Sequence, residues 1–525
     1  MDSTSITSTE WLKIAGAAFA QTDGSAEAMA KAIAAQLASQ PAAMAVAAAL
    51  AEGFAELARY AAEEPGEAAD SVDIEVEAIA AARRVVRPLL QAKLQQRLDA
   101  LDAKTARHNL CPRCKKPTES QGRRSRGWGS VVGPLSLKRR YGYCEACGQG
   151  IAPSQVALGL PDGDYTPRLE EVCTMMATTV PHAMATSLVA KLCGIEISVK
   201  AMEDMTERRA SQVEVEDAKD AKTCAPFDAK GLPVPSQARP ADAVPPDAAP
   251  KVAYLEVDGV VPITREELTG EELTPEDRRR QRRAKKAKAH GGKGRRYRII
   301  GREVKNAVLY DGKDCAAESP GRGCILHKTY VSHLGDWLTF TALVWVEMLR
   351  QRFDAAKLLV ILSDGAEWVR SLAAWLPIPT FLILDLFHVK HRLWEVANSL
   401  YGEKTPEARS WAEIQCGRIE EGCAKDVIEA LLFLKPRRRE TRELVEKLAK
   451  FLDNNLDRMD YPTYRARGLR VSSGTVESAN YHVTGTRLKL QGMRWSAEGA
   501  GQMAVLRADL FNGRWEKRTK QLLAA

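Results

Sequence analysis

No stretch of this chain is apolar for the roughly 20 residues that crossing a bilayer requires. Its start, MDSTSITSTEW, lacks the basic segment and apolar core of a secretory signal. No G-x-x-x-x-G-K-[ST] phosphate loop is present, and no Ser, His and Asp stand at the spacing of a hydrolase triad. These absences turn the reading away from membrane spans, secretion, P-loop chemistry and serine hydrolysis. A cytosolic setting is expected, and disulfides are rare there. The 11 cysteines are an odd number, and four of them form two C-x-x-C pairs, which metal binding explains better than cross-linking. Cys173, Cys193, Cys416 and Cys423 lie in helical patterns and read as small apolar residues.

What is present is ordinary in bulk and uneven in distribution. The 525 residues suggest three or four domains, and 45% hydrophobic with 27% charged residues is usual for a globular chain. The net charge of +8 leans toward a polyanionic partner. Residues 1–105, rich in Ala, Glu, Leu and Arg, predict a helical N-terminal region broken at Pro41 and Pro65. Residues 106–160 turn to Cys, Gly, aromatics and β-branched residues. Residues 161–210 return to helix, with a turn at CGIEIS that can build a helix-turn-helix or simply join two packed core helices. Residues 211–250, ending in PVPSQARPADAVPPDAAP, read as a flexible linker. From 251 to 388 strands ending in acids alternate with helices, which predicts an α/β core with a mixed sheet. Residues 389–470 are helical throughout, and 471–525 add two further helices.

Cys111-x-x-Cys114 and Cys144-x-x-Cys147 make two thiolate knuckles, the second followed by Gly148. Two such knuckles complete a tetrahedron around one structural Zn²⁺ and leave no open position for catalysis. The segment between them, with GRRSRGW and LKRRYGY, is a zinc ribbon whose cations and aromatics suit phosphate contact.

Three acids stand apart from the surface charge. Asp258 ends VAYLEVDG, Asp364 ends KLLVILSDG, and Glu477 lies in SSGTVESAN, where Ser472 or Ser473 could cap a helix. An Asp-Gly after an apolar run sits at a strand's carboxyl end, facing a cleft. Clustered carboxylates repel unless a cation neutralises them. Two Mg²⁺ (or Mn²⁺) ions roughly 3.5–4 Å apart would activate a nucleophile and steady the leaving oxygen of a phosphoryl displacement. Asp385 also ends an apolar strand, with His388 and His391 at helical spacing. Asp385 and His388 could add or orient a ligand, or could only pin the helix.

The motifs VDG, SDGAEWV, DLFHVKHRLW, SGTVESAN and LKLQGMRWSAEGA, in that order, resemble bacterial insertion-sequence transposases of the ISKra-four group, and the resemblance runs from about residue 108 to the end. More loosely, they resemble the DDE transposases with an Asp/Cys-x-x-His motif. The resemblance implies an RNase H-like catalytic core with Asp258, Asp364 and Glu477 as the triad. It implies Asp385 and His388 as the accessory pair, and 389–470 as an all-α insertion. It also implies a bacterial, cytoplasmic, nucleoid-associated enzyme that cleaves element ends and joins them to target DNA. Two ends must be held at once, so a homodimer or larger assembly is expected.

Residues 278–298 read RRRQRRAKKAKAHGGKGRRYR, a density of cations that attracts DNA without reading its sequence. Arg282, Arg283, Lys285, Lys286, Arg295 and Arg296 are the phosphate contacts expected there. In the tail, Arg487, Lys489 and Arg494 follow Glu477 closely and could grip the strand, with Trp495 stacking on a base or serving as core. Two competing readings share these features: a metal-dependent nuclease without strand transfer, and a non-catalytic DNA-binding protein descended from a transposase.

Overall fold

The structure is a computed structural model. It describes residues 41–64, 66, 70–105, 110–111, 114–245, 249–267, 274–276, 278–279, 297–319 and 322–524, with positions 17, 28, 32 and 35 before them. The chain forms two units, Met1–Thr206 with Thr519–Ala525, and Glu207–Arg518. Among the described residues no helix is long and apolar enough to cross a membrane. The expected phosphate contacts Arg282, Arg283, Lys285, Lys286, Arg295 and Arg296 lie outside the described residues.

In the first unit, helices α1 (Pro41–Ala62) and α2 (Ser71–Thr105) precede a three-stranded antiparallel sheet of β1 (Glu119–Ser130), β2 (Gly133–Cys144) and β3 (Gln149–Ile151). Leu135, Leu137 and Arg139 of β2 are buried while Pro134, Ser136, Lys138 and Arg140 are exposed, the period of two that a half-buried strand needs. A short helix over Pro153–Ala157 follows, then three longer ones: α3 (Pro167–Thr179), α4 (His182–Cys193) and α5 (Val199–Cys224), the last passing into the second unit at Glu207, with left-handed Gly194 ending α4 at the expected CGIEIS turn. Leu169, Cys173, Ala177, Ala185, Val189 and Met202 form their shared core.

The second unit is built on a five-stranded mixed sheet. Its strands are β4 (Val252–Val260), β7 (Val304–Asp311), β10 (Thr329–His333), β11 (Leu358–Ser363) and β12 (Thr380–Leu384), in the order β10-β7-β4-β11-β12. The short hairpins β5 (Ile263–Glu267) with β6 (Tyr297–Gly301), and β8 (Cys315–Ser319) with β9 (Arg322–Ile325), lie apart from it. β7 runs antiparallel to β4 and β10, whereas β11 runs parallel to β4 and β12. Alternation along β4 assigns the faces. Ala253, Leu255 and Val257 pack with helices α6 (Trp337–Arg350) and α7 (Trp368–Trp375). Tyr254 packs on the other face with α8 (Leu386–Tyr401), α11 (Arg439–Asp453) and α13 (Gly474–Ala479). Both faces are therefore covered, which explains the near-continuous apolar runs of these strands. Helices α9 (Pro406–Glu420), α10 (Ala424–Phe433) and α12 (Tyr461–Ala466) complete the helical stretch expected over 389–470, which begins at Leu386. The tail holds more helix than expected: α13 runs on into a π-helical turn over Asn480–Gly485, and α14 (Ala497–Phe511) and α15 (Trp515–Ala524) follow.

The expected flexible linker over 211–250 is corrected. Helix α5 continues to Cys224, burying Val213 and Ala221 on one stripe. The coil after it is tied to the core. Arg239 makes a two-pronged pair with Asp354 at 2.8 and 2.7 Å, and the Val244 amide donates to the Arg350 carbonyl at 2.8 Å. The indoles of Trp345 and Trp375 donate to the carbonyls of Ser236 and Pro233. Its Pro- and Ala-rich composition suits an extended strap, and the partners that hold it lie about a hundred residues away in sequence.

Arg350 ties this strap to the core. Only 5% exposed, it reaches Asp242 at 2.7 Å, Asp220 at 2.9 Å and Glu347 at 2.8 Å, and Arg514 also pairs with Glu347. Burial opposes the charge on Glu347, but the two guanidiniums outweigh it and hold its carboxyl down at about 2. A depressed folded-state value contributes stability above the unfolded value of 4.5, and that contribution is lost as pH falls toward 2. In urea denaturation, Glu347→Gln is expected to cost on the order of 3 kcal/mol at neutral pH. The gap from wild type should close as pH drops through that window.

Candidate functional site

Strand register aligns three aspartates. Ser363 of β11 pairs with Val257 of β4 on one side and Leu384 of β12 on the other. Asp258, Asp364 and Asp385 are the next residues on three adjacent parallel strands, so all three stand level at the carboxyl edge. Asp258 is inside its strand, which runs to Val260, whereas the sequence placed it at the end. Asp364 and Asp385 follow theirs directly. Gly365 lets the chain turn away after Asp364: its φ is +96°, and a Cβ there would meet the Phe451 ring at 2.8 Å.

Asp258 accepts from the Gly259 amide at 2.7 Å and from the Asn480 side-chain amide at 2.5 Å. Asn480 in turn accepts from Asn306, which takes the Ser332 hydroxyl at 2.7 Å. Burial, with the nearby charges of Asp364 and Glu477, pushes the Asp258 carboxyl up to about 6 against the pull of Gly259 N–H and His388. Asn306 and Asn480 were missed by the sequence reading. Asn480 lies three residues after Glu477 on a helix, a spacing that puts both on one face. Asn306 carries no local signal; it is the β7 residue paired with Asp258.

Asp385 is fully buried, and both its oxygens are occupied. Oδ1 accepts the Ser473 amide at 2.8 Å and the Phe387 amide at 3.3 Å. Oδ2 accepts the His388 amide at 2.9 Å and pairs with His388 Nδ1 at 2.6 Å. Burial works against this carboxylate, but its donors outweigh that and hold it below the usual range. The hydrogen bond to Asp385, with the charges of Asp258 and Glu477, raises the His388 imidazole above its ordinary value. Asp385 therefore both caps α8 and orients His388, leaving Nε2 as the free ring nitrogen.

Glu477 sits on α13. Ser473 occupies the N-cap position, but its hydroxyl makes no capping bond, contrary to expectation; its amide binds Asp385 instead. Burial raises the Glu477 carboxyl against the pull of His388, whose Nδ1 is 3.8 Å away. Asp385, His388 and Glu477 offer ligand atoms all within 4.8 Å of one another, and Asp258 and Asp364 stand outside that tight group. The set can hold a divalent cation, with oxygen donors dominating.

In the first unit, Cys111, Cys114, Cys144 and Cys147 also place their sulfurs within 4.8 Å of one another. Each knuckle closes on a left-handed residue, Lys115 (φ 59°) after the first and Gly148 (φ 64°) after the second. Hydrogen bonding to Cys114 and burial push the Cys147 thiol up to about 12, as expected where four sulfurs crowd without a counter-charge. The cluster is compatible with metal binding. Of the hairpin's cations, Arg139 is buried, while Arg124, Lys138 and Arg140 are exposed. Arg124 stacks over Tyr141 at 4.5 Å.

Two expected DNA contacts in the tail are corrected. Trp495 is half-buried, exchanges backbone hydrogen bonds with β5 and donates its indole N–H to the Leu488 carbonyl at 3.2 Å. Arg487 is 1% exposed and lies over the Trp495 ring. Arg487 is thus turned away from solvent, and Trp495 takes up the core alternative. Lys489 and Arg494 are exposed.

The profile of an uncharacterised protein family, UPF0236, matches residues 336–521, from α6 through Glu477 and into α15. No curated protein matches this chain. Among solved structures, the Drosophila P element transposase strand transfer complex aligns at 10% identity over 70% of this chain and 83% of its own, with a TM-score of 0.22.

The raised Asp258 carboxyl has a measurable cost. A folded value of about 6 above an unfolded 3.8 means the folded state holds its proton more tightly, so stability falls as pH rises through that window. Without added metal, Asp258→Asn is expected to raise the melting temperature by a few degrees above pH 6. The gain should vanish near pH 4, as followed by circular dichroism.

Proposed function

We propose that this chain is a DNA transposase whose acids Asp258, Asp364 and Glu477 hold divalent cations for DNA strand cleavage and strand transfer. The observation that carries this reading is the level alignment of Asp258 and Asp364 on adjacent parallel strands, with the charge of Glu477 on α13 felt at Asp258. Three antiparallel strands followed by two parallel ones, with helices on both faces, support an RNase H-like core. The stretch from α8 to α12 is then its all-α insertion. The oxygen-rich donor set suits Mg²⁺ or Mn²⁺, two ions in the working site. When bound, these ions supply the Lewis acidity that turns water, and then a 3′-hydroxyl, into an attacking nucleophile. The chain's own residues position that chemistry. Asn480 and Gly259 fix the Asp258 carboxylate, and Asp385 holds His388 so that Nε2 can face a phosphate oxygen.

In this reading the Cys111, Cys114, Cys144 and Cys147 cluster takes one structural Zn²⁺ and the ribbon's exposed cations meet phosphates. The helices around the CGIEIS turn read the element end. The run at 278–298, with Lys489 and Arg494, adds electrostatic grip. The working form is a homodimer or larger assembly on DNA in a bacterial cytoplasm.

The test uses a labelled duplex carrying the element's own end, with Mg²⁺ or Mn²⁺. Wild type should nick it and join the freed end to target DNA, and Asp364→Asn should lose both by roughly 10³-fold. Nicking without joining would favour a nuclease; binding without cleavage under either metal would refute the catalytic reading. Separately, elemental analysis should find one zinc per chain, and Cys144→Ser should lose it.

A further inference from the structure

Glu256 has no part in the site as described, yet it is fully buried on β4, two residues before Asp258 and on the same face. An isolated buried carboxylate is costly and stands only where donors meet it. Oε1 accepts the Tyr310 hydroxyl at 2.5 Å, and Oε2 accepts the Val476 amide at 2.9 Å. Val476 lies in the first turn of α13, one residue before Glu477. That helix, which runs on into the π-helical turn, has no side-chain cap at its start. Its start is set from outside, by Asp385 on the Ser473 amide and by Glu256 on the Val476 amide. Glu256 is itself held from behind. Tyr310 stacks on Tyr254 with ring centroids 5.0 Å apart, and the Tyr254 hydroxyl takes the Arg470 amide at 3.2 Å.

We propose that Glu256 is a positioning residue that sets Glu477 in the cation site by fixing the first turn of α13. One strand then supplies both an acid of the site, Asp258, and the placement of another. This rests on the reading of Asp258, Asp364 and Glu477 as cation-holding acids. What matters is the reach of the carboxylate to the Val476 amide, and two substitutions separate reach from charge. Glu256→Gln keeps the length and an acceptor but loses the charge. Glu256→Asp keeps the charge and falls one methylene short.

The measurement is Mn²⁺ binding to the zinc-loaded full chain, followed by the paramagnetic resonance of free Mn²⁺, with folding checked by circular dichroism. Glu256→Asp is expected to weaken Mn²⁺ binding on the order of 10- to 100-fold, while Glu256→Gln binds as wild type does. Val308→Ala, in the same core, should lower the melting temperature and leave Mn²⁺ affinity unchanged. If Glu256→Asp does not fold, Tyr310→Phe, which removes the hydroxyl holding Oε1, should weaken Mn²⁺ in the same direction. Wild-type affinity in the aspartate variant (or, where that does not fold, in Tyr310→Phe), an equal loss in the glutamine variant, or an equal loss in Val308→Ala would each overturn the proposal. Wild type that binds no Mn²⁺ would instead remove the cation-site reading, and this inference with it.

Discussion

A carboxylate taken wholly out of water survives only if N–H and O–H groups surround it. The site depends on two that meet this condition, Asp385 and Glu256. Asp385 draws in the amides of Phe387, His388 and Ser473 and the ring of His388. Glu256 draws in Val476 and Tyr310. Their need for donors fixes where α8 begins, where α13 begins and which way the imidazole faces. Glu477 and His388 face solvent only in part, so their geometry is inherited from these buried anions rather than from their own packing.

The outer acids obey a different economy of charge. Asp258 and Glu477 feel the pull of His388, but burial outweighs it and each carboxyl is raised. The amides that hold Asp258 are neutral: Asn480, then Asn306, then the Ser332 hydroxyl. Neutral donors fix direction without cancelling charge, and a site meant to attract cations requires that combination. Arg350 and Arg514 show the opposite arrangement, where two guanidiniums pair with Glu347 and hold its carboxyl down.

Much of this was legible in the sequence. Apolar runs ending in Asp marked β4, β11 and β12, because strands covered on both faces must be apolar along their length. The four cysteines were legible because a C-x-x-C knuckle is local. The residues that support the site were not. Glu256 meets Val476 across 220 positions, Asp258 meets Asn480 across 222, and Asp385 meets Ser473 across 88. An acid inside the apolar run YLEVDG was nonetheless a signal, since a buried carboxylate must have a partner somewhere. The misread linker failed for a related reason: composition reports how much apolar surface a segment has, not whether Arg239 and Asp242 find counter-charges elsewhere. The two readings of Trp495 could not be separated in the sequence because an aromatic beside basic residues looks the same whether its ring meets a base or packs on Leu488 and Met503.

After β12 the chain runs through helices packed on one face of the sheet before it reaches α13, and the two ends of that excursion are fastened to each other. Ser473 binds Asp385 and the Leu386 amide binds the Val471 carbonyl at 3.0 Å. The helices between those fastenings form a closed detour. The entropy of closing a loop grows only with the logarithm of its length. Turns between these helices can therefore lengthen, shorten or change partner specificity with little effect on the carboxylates at its neck. The detour is where descendants of this protein have most freedom to diverge while keeping the same chemistry.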